Sequence, residues 1–108
     1  MRRDIDTSWL PIGSVVQLAQ DDSRLIIIGY MQREETLRTA WDYVSLRYPG
    51  GWAGPDSIIA FNRSDIARTL YIGYLGPERD PLLECLSEAE PELERLKSER
   101  GGKIDQSS

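Results

Sequence analysis

Few side-chain types carry chemistry, and this chain is short of most of them. It has no histidine, which removes the commonest general base, the commonest metal ligand and the usual partner of a serine or cysteine nucleophile. Its one cysteine, Cys85, falls between Glu84 and Glu88, and acidic neighbours oppose a reactive thiolate. Cys85 is expected as a small, partly buried helix residue. A zinc site needs four Cys, His or carboxylate ligands, and one cysteine does not begin it. Asp21-Asp22-Ser23 is too short to wrap a calcium ion and reads as a turn. Glu34, Glu35, Asp42, Asp56 and Asp65 are the carboxylates whose convergence would support acid–base work, but nothing in their spacing requires it. Pro49-Gly50-Gly51-Trp52-Ala53-Gly54 lacks the Lys-Ser/Thr that follows a phosphate-binding loop. No catalytic residue, metal or cofactor is assigned, and the expectation is a protein that is not an enzyme.

Two features suit binding instead. Trp52 stands in a glycine-rich turn, where its own neighbours do not easily cover it, and tryptophan is enriched at interface hot spots. Trp41 and Tyr48 lie close by in sequence. The alternative is that Trp52 folds back onto the sheet. The second feature is the stripe Leu82, Leu86, Ala89, Leu93 and Leu96, spaced by four, three, four and three residues. That spacing gives one apolar helix face. It either packs on the protein's own sheet or meets another chain, and it offers a route to homo-oligomers. Trp41, Tyr48, Trp52, Leu82, Leu86, Leu93 and Leu96 are therefore the candidate protein-binding residues.

The elements that must position them are mostly strands. Ser14–Leu18 is β-branched and follows a Pro-Gly turn. A polar turn over Gln20–Ser23 leads into Arg24–Gln32, whose run Leu25-Ile26-Ile27-Ile28 predicts a sheet centre, with Gly29 marking a bulge or bend. Residues 1–10 are read as a polar lead-in and residues 33–39 as a loop or the strand ends of a longer hairpin. Trp41–Tyr48 alternates, with Trp41, Tyr43, Ser45 and Arg47 on one side. Ser57–Phe61 is a short fourth strand, Asn62–Arg68 a helical turn, and Thr69–Leu75 a fifth strand bent at Gly73. Asp80 caps a helix with Pro81 at its first position. Pro91 is expected to kink or split that helix, and Gly101-Gly102 to end it. The expected architecture is mainly β within the α+β class. It is a five-stranded antiparallel sheet or a small barrel of the Src-homology-three (SH3) type, followed by a C-terminal helix or kinked helix pair. Residues 1–76 form the β-rich domain, 77–100 a helical extension and 101–108 a disordered tail.

At 108 residues the chain holds one domain with a modest core. A net charge of −5 disfavours nucleic acid, which calls for clustered Lys and Arg. The longest apolar run is far shorter than a membrane span or signal core, and a lone cysteine gains nothing from an oxidising compartment. These features predict a cytoplasmic protein without a membrane span.

Several segments occur in a telling order: Leu10-Pro11-Ile12-Gly13-Ser14-Val15-Val16, Leu25-Ile26-Ile27-Ile28-Gly29-Tyr30, Trp41-Asp42-Tyr43-Val44, Tyr48-Pro49-Gly50-Gly51, then Phe61-Asn62-Arg63-Ser64-Asp65-Ile66 and Ile72-Gly73-Tyr74. Together they resemble a family of small bacterial proteins, the domain of unknown function family 4176. The chain departs from the family at Asn62-Arg63-Ser64-Asp65, where a His after the Asn and an acid before the Asp would be expected. The resemblance implies a setting near type VII secretion and Leu-x-Gly toxin loci. It also implies a role as adaptor, chaperone or targeting factor for an exported toxin, and no catalytic residues. The partner expected is another protein, a secreted toxin or a secretion component. The other role considered is an immunity protein, since an acidic domain suits masking of a basic toxin surface.

Overall fold

The computed structural model describes residues 9–34 and 39–107. The lead-in over residues 1–8, loop residues 35–38 and the final residue of the expected tail lie outside the described residues.

Five strands form one antiparallel sheet in the order β4-β3-β2-β1-β5. They are β1 (Val15–Leu18), β2 (Asp21–Glu34), β3 (Thr39–Tyr48), β4 (Ile59–Phe61) and β5 (Ile66–Tyr71). A single helix, α1 (Arg79–Ser107), follows. The sheet is open, so of the two architectures expected the barrel is corrected to an open sheet. Closure needs β4 and β5 to meet, and both remain at opposite ends of the order.

The β2 run sits at the sheet centre because its alternate residues serve the core. Leu25 and Ile27 are fully buried, while Ile28 is exposed on the other face. The β2–β3 register shifts between Ile27 and Gly29, the bulge that Gly29 signals. A Cβ on Gly29 would stand 2.9 Å from Val44 Cγ2, so the close pass there needs glycine. Met31 adopts φ 51, uncommon for a non-glycine residue. It interrupts the alternation, and Tyr30 and Met31 both pack against the core.

The boundaries differ from expectation in several places: β2 extends to Glu34, β3 starts at Thr39 and β4 starts at Ile59. The β1–β2 turn falls at Ala19-Gln20, and Asp21 already belongs to β2. Asp21 Oδ1 accepts the Ser23 N–H at 2.9 Å, so these polar residues are satisfied locally without leaving the strand. The helical turn is only Arg63–Asp65, a 3₁₀ turn. Asp65 Oδ2 accepts the Asn62 N–H at 2.9 Å and closes it at once. Extended backbone therefore resumes at Ile66, earlier than predicted, and ends at Tyr71.

The core lies between the sheet and α1. Trp9 stacks edge-on to Tyr43 and Tyr30, with centroids 5.6 and 6.0 Å apart, and Tyr43 meets Phe61 at 5.3 Å. Such edge contacts suit the ring quadrupole. Leu86 and Leu93 of α1 complete this cluster, with Leu83 and Leu96 against its margin. Pro91 lies inside α1 without splitting it. A proline here loses one hydrogen bond and costs about 3 kcal/mol, while burying Leu86 and Leu93 on either side of it offsets that by about 2–3 kcal/mol each. The helix also runs past Gly101-Gly102, since glycine weakens a helix by about 1 kcal/mol without forbidding it.

Candidate protein-binding surfaces

The structure distributes the sequence candidates among three environments. Leu86 and Leu93 are 5% and 3% exposed inside the protein's own core. The leucine stripe therefore closes this domain, and these two residues are corrected from contact surface to core. Leu96 is partly covered at the core margin, and Trp41 is half-buried. Leu82, at the start of α1, is exposed. Cys85 is exposed too, against the expectation of partial burial.

Trp52 and Tyr48 stay in solvent, 60% and 54% exposed. Trp52 does not fold back onto the sheet. Its turn is nonetheless fastened: Ala53 N–H donates to Ser57 Oγ at 3.0 Å, and the Ser57 hydroxyl donates to the Gly54 carbonyl at 2.6 Å. The Gly51 N–H also reaches the Arg47 carbonyl at 2.8 Å. A recess of about 290 Å³ beside the turn is lined by Arg47, Gly51, Ala53, Asp56, Ser57 and Ile59. A tryptophan held on a fastened turn loses little freedom on binding.

A second surface was not read from the sequence. Beyond β5 the chain leaves the sheet with Ile72, Tyr74 and Leu75 exposed, continuing from an exposed Tyr71. Tyr74, Ile12 and Leu82 line a groove of about 460 Å³ with Pro11, Tyr30 and Arg79. The segment is pinned there by Gly73. Its N–H donates to the buried Ser14 Oγ at 3.0 Å, and a Cβ on it would collide with the Ile12 carbonyl. The wall of the groove is equally fixed. The Tyr30 hydroxyl donates to the Leu10 carbonyl at 2.5 Å, and Arg79 Nη2 to the Trp9 carbonyl at 2.7 Å. Sequence reasoning missed this surface because it carried the strand through to Leu75, which hides those residues in a sheet. The available signal was density: Leu70, Tyr71, Ile72, Tyr74 and Leu75 are more apolar residues than one half-buried strand can cover.

Among the described residues the carboxylates do not converge on either recess; the side chains of the candidates Glu34 and Glu35 lie outside them. Asp42, fully buried, is tied to three donors. Its Oδ2 accepts the Arg63 N–H at 2.7 Å and Nε–H at 3.1 Å, and its Oδ1 accepts Lys97 Nζ at 2.8 Å. Arg63 continues to Glu90 at 2.8 Å and lies 4.0 Å over the Trp9 ring. The hydrogen bonds to Glu90 and Asp42 hold the Arg63 pKa above its ordinary value, against the desolvation that lowers it. Asn62 Oδ1 takes the Asp42 N–H at 3.1 Å. The segment around Asn62 and Arg63 is thus part of a clamp joining β3, the 3₁₀ turn and α1. Asp65 closes that turn, and Asp56 lies at the Trp52 recess. Among the described residues no group of three or more His, Cys, Asp or Glu side chains is placed to hold a metal ion, and no helix is long and apolar enough to cross a membrane.

An open, helix-backed antiparallel sheet with fastened, exposed aromatic surfaces defines a small α+β domain. Residues 9–80 match the family described as Domain of unknown function (DUF4176), and the chain belongs to that family. No curated protein and no solved structure matches it.

Proposed function

We propose that this protein is a non-enzymatic, cytoplasmic binding module, acting as an adaptor, chaperone or targeting factor for a toxin exported by type VII secretion. The observation that carries the binding reading is the apolar surface around the Ile12–Tyr74–Leu82 groove, where Tyr74 is 75% exposed. Exposed apolar patches of this kind mark interaction sites. The exposed Trp52 and Tyr48 form a second contact region of the same character. The secretion setting rests on the family resemblance.

The other reading is an immunity protein, favoured by the net charge of −5, which suits steering toward a basic toxin. Co-expression with each toxin and secretion component encoded nearby separates the two. An export factor forms a complex and changes secretion while toxicity persists. An immunity protein restores growth. Absence of a complex with every one of them overturns both.

A further inference from the structure

The two edges of the sheet are unequal. β4 is three residues long and hemmed by 3₁₀ turns at Pro55–Ser57 and Arg63–Asp65. Short, interrupted edges resist pairing with other chains. β5 is six residues long and, among the described residues, is bonded on one side only, to β1. Five of its six residues are exposed, so it is held by backbone pairing more than by side-chain burial. It contains neither proline nor lysine, residues that commonly guard an edge, although its ladder to β1 shifts register between Val15 and Val16 and between Gln17 and Leu18. Its one charge, Arg68, is drawn back to Gln17 of β1 by a hydrogen bond of 3.1 Å. At the far end of β5, past Tyr71, the chain opens onto the 460 Å³ groove.

We propose that β5 is a docking edge for an extended segment of the partner, which adds to the sheet as a further strand and seats an apolar side chain in the Ile12–Tyr74–Leu82 groove. This rests on the protein-binding reading and names its mode. Backbone pairing along an edge supplies affinity, and a side-chain recess supplies selection. The rim sets the charge of the occupant. Arg79 turns inward to the Trp9 carbonyl, whereas Glu78, which also lines the groove, is exposed. The segment that fits therefore carries a basic residue next to its apolar anchor. A second copy of this chain fits less well, since it too is acidic, at −5.

The full chain is used to select from a displayed library of random linear peptides, and a selected peptide is then followed by hydrogen–deuterium exchange. The expected binders pair a large apolar residue with an adjacent Lys or Arg, and they slow exchange along Ile66–Tyr71. Tyr74→Asp weakens them at least about tenfold, the scale of an interface hot spot, while Ser87→Ala on the exposed side of α1 leaves them unchanged. Peptides that instead protect the Trp52 turn overturn strand docking and leave the protein-binding reading standing. Failure to enrich any peptide overturns strand docking, and the co-expression experiment then judges the wider reading. A chain that is dimeric alone, with β5 amides already protected, makes a second copy the occupant and overturns the proposal.

Discussion

Asp42 and Tyr43 are adjacent on β3, and both are almost wholly buried. Each buries a polar group at a cost that only a partner offsets. For Asp42 the partners are Arg63 and Lys97, whose side chains are 26% and 20% exposed. Water therefore softens the loss when Asp42 is removed, and Asp42→Ala is expected to destabilise by about 2–3 kcal/mol, read from the urea midpoint. An unchanged midpoint would mean that the clamp contributes no stability. Tyr43 accepts the Leu10 N–H at 2.8 Å, and burial pushes its pKa up to about 12. Burial also raises that of Tyr30. The folded state holds these phenolic protons more tightly than the unfolded chain, whose tyrosines titrate near 10. The associated stability is whole below about pH 10 and is lost as pH rises toward 12. Alkaline unfolding in that window, coincident with phenolate absorbance, is the expected result, and Tyr43→Phe should blunt it. Phenolate formation without unfolding would contradict the assignment.

Among the elements, α1 divides the candidate leucines by function. Leu86 and Leu93 face Trp9, Tyr43 and Phe61 in the core, so truncating either to Ala should cost about 2–4 kcal/mol. Leu82 is 37% exposed, and Leu82→Ala should stay within about 1 kcal/mol while weakening the partner. Thermal unfolding of the three variants checks the division, and equal losses would refute it. The helical stripe was legible because its period is regular. Its destination was not, since one period serves a core and a coiled-coil seam alike. The β2 centre and its Gly29 bulge were legible from the apolar run and its interruption. The β5 boundary was not, because a capping contact between Asn62 and Asp65 decides it and the strand continues into residues of similar hydropathy. The Asp42 clamp joins residues 21 and 55 positions apart, a distance at which local pattern is silent.

At the scale of the whole molecule, the family match and the physical core do not end together. The match stops at residue 80, just inside the first turn of α1, which begins at Arg79. Yet Leu86, Leu93 and Lys97 all lie beyond it and reach back to the sheet. The sheet contributes Tyr43 and Phe61 to the core, with Trp9 packed on Tyr43, and a sheet with one uncovered apolar face is a poor independent fold. A small domain also has little stability to spare, typically about 5–15 kcal/mol in all. Losing two buried leucines and the lysine on Asp42 removes much of that. A chain ending at Asp80 is therefore expected to lose its cooperative thermal transition and to bind hydrophobic dye, whereas the full chain unfolds in one step. Adding residues 81–108 as a separate peptide should restore the transition if docking on β3 is what the helix supplies. A truncated chain that melts as sharply as the full one would show instead that residues 9–80 are self-sufficient, and that α1 is an appendage free to leave the sheet when a partner arrives.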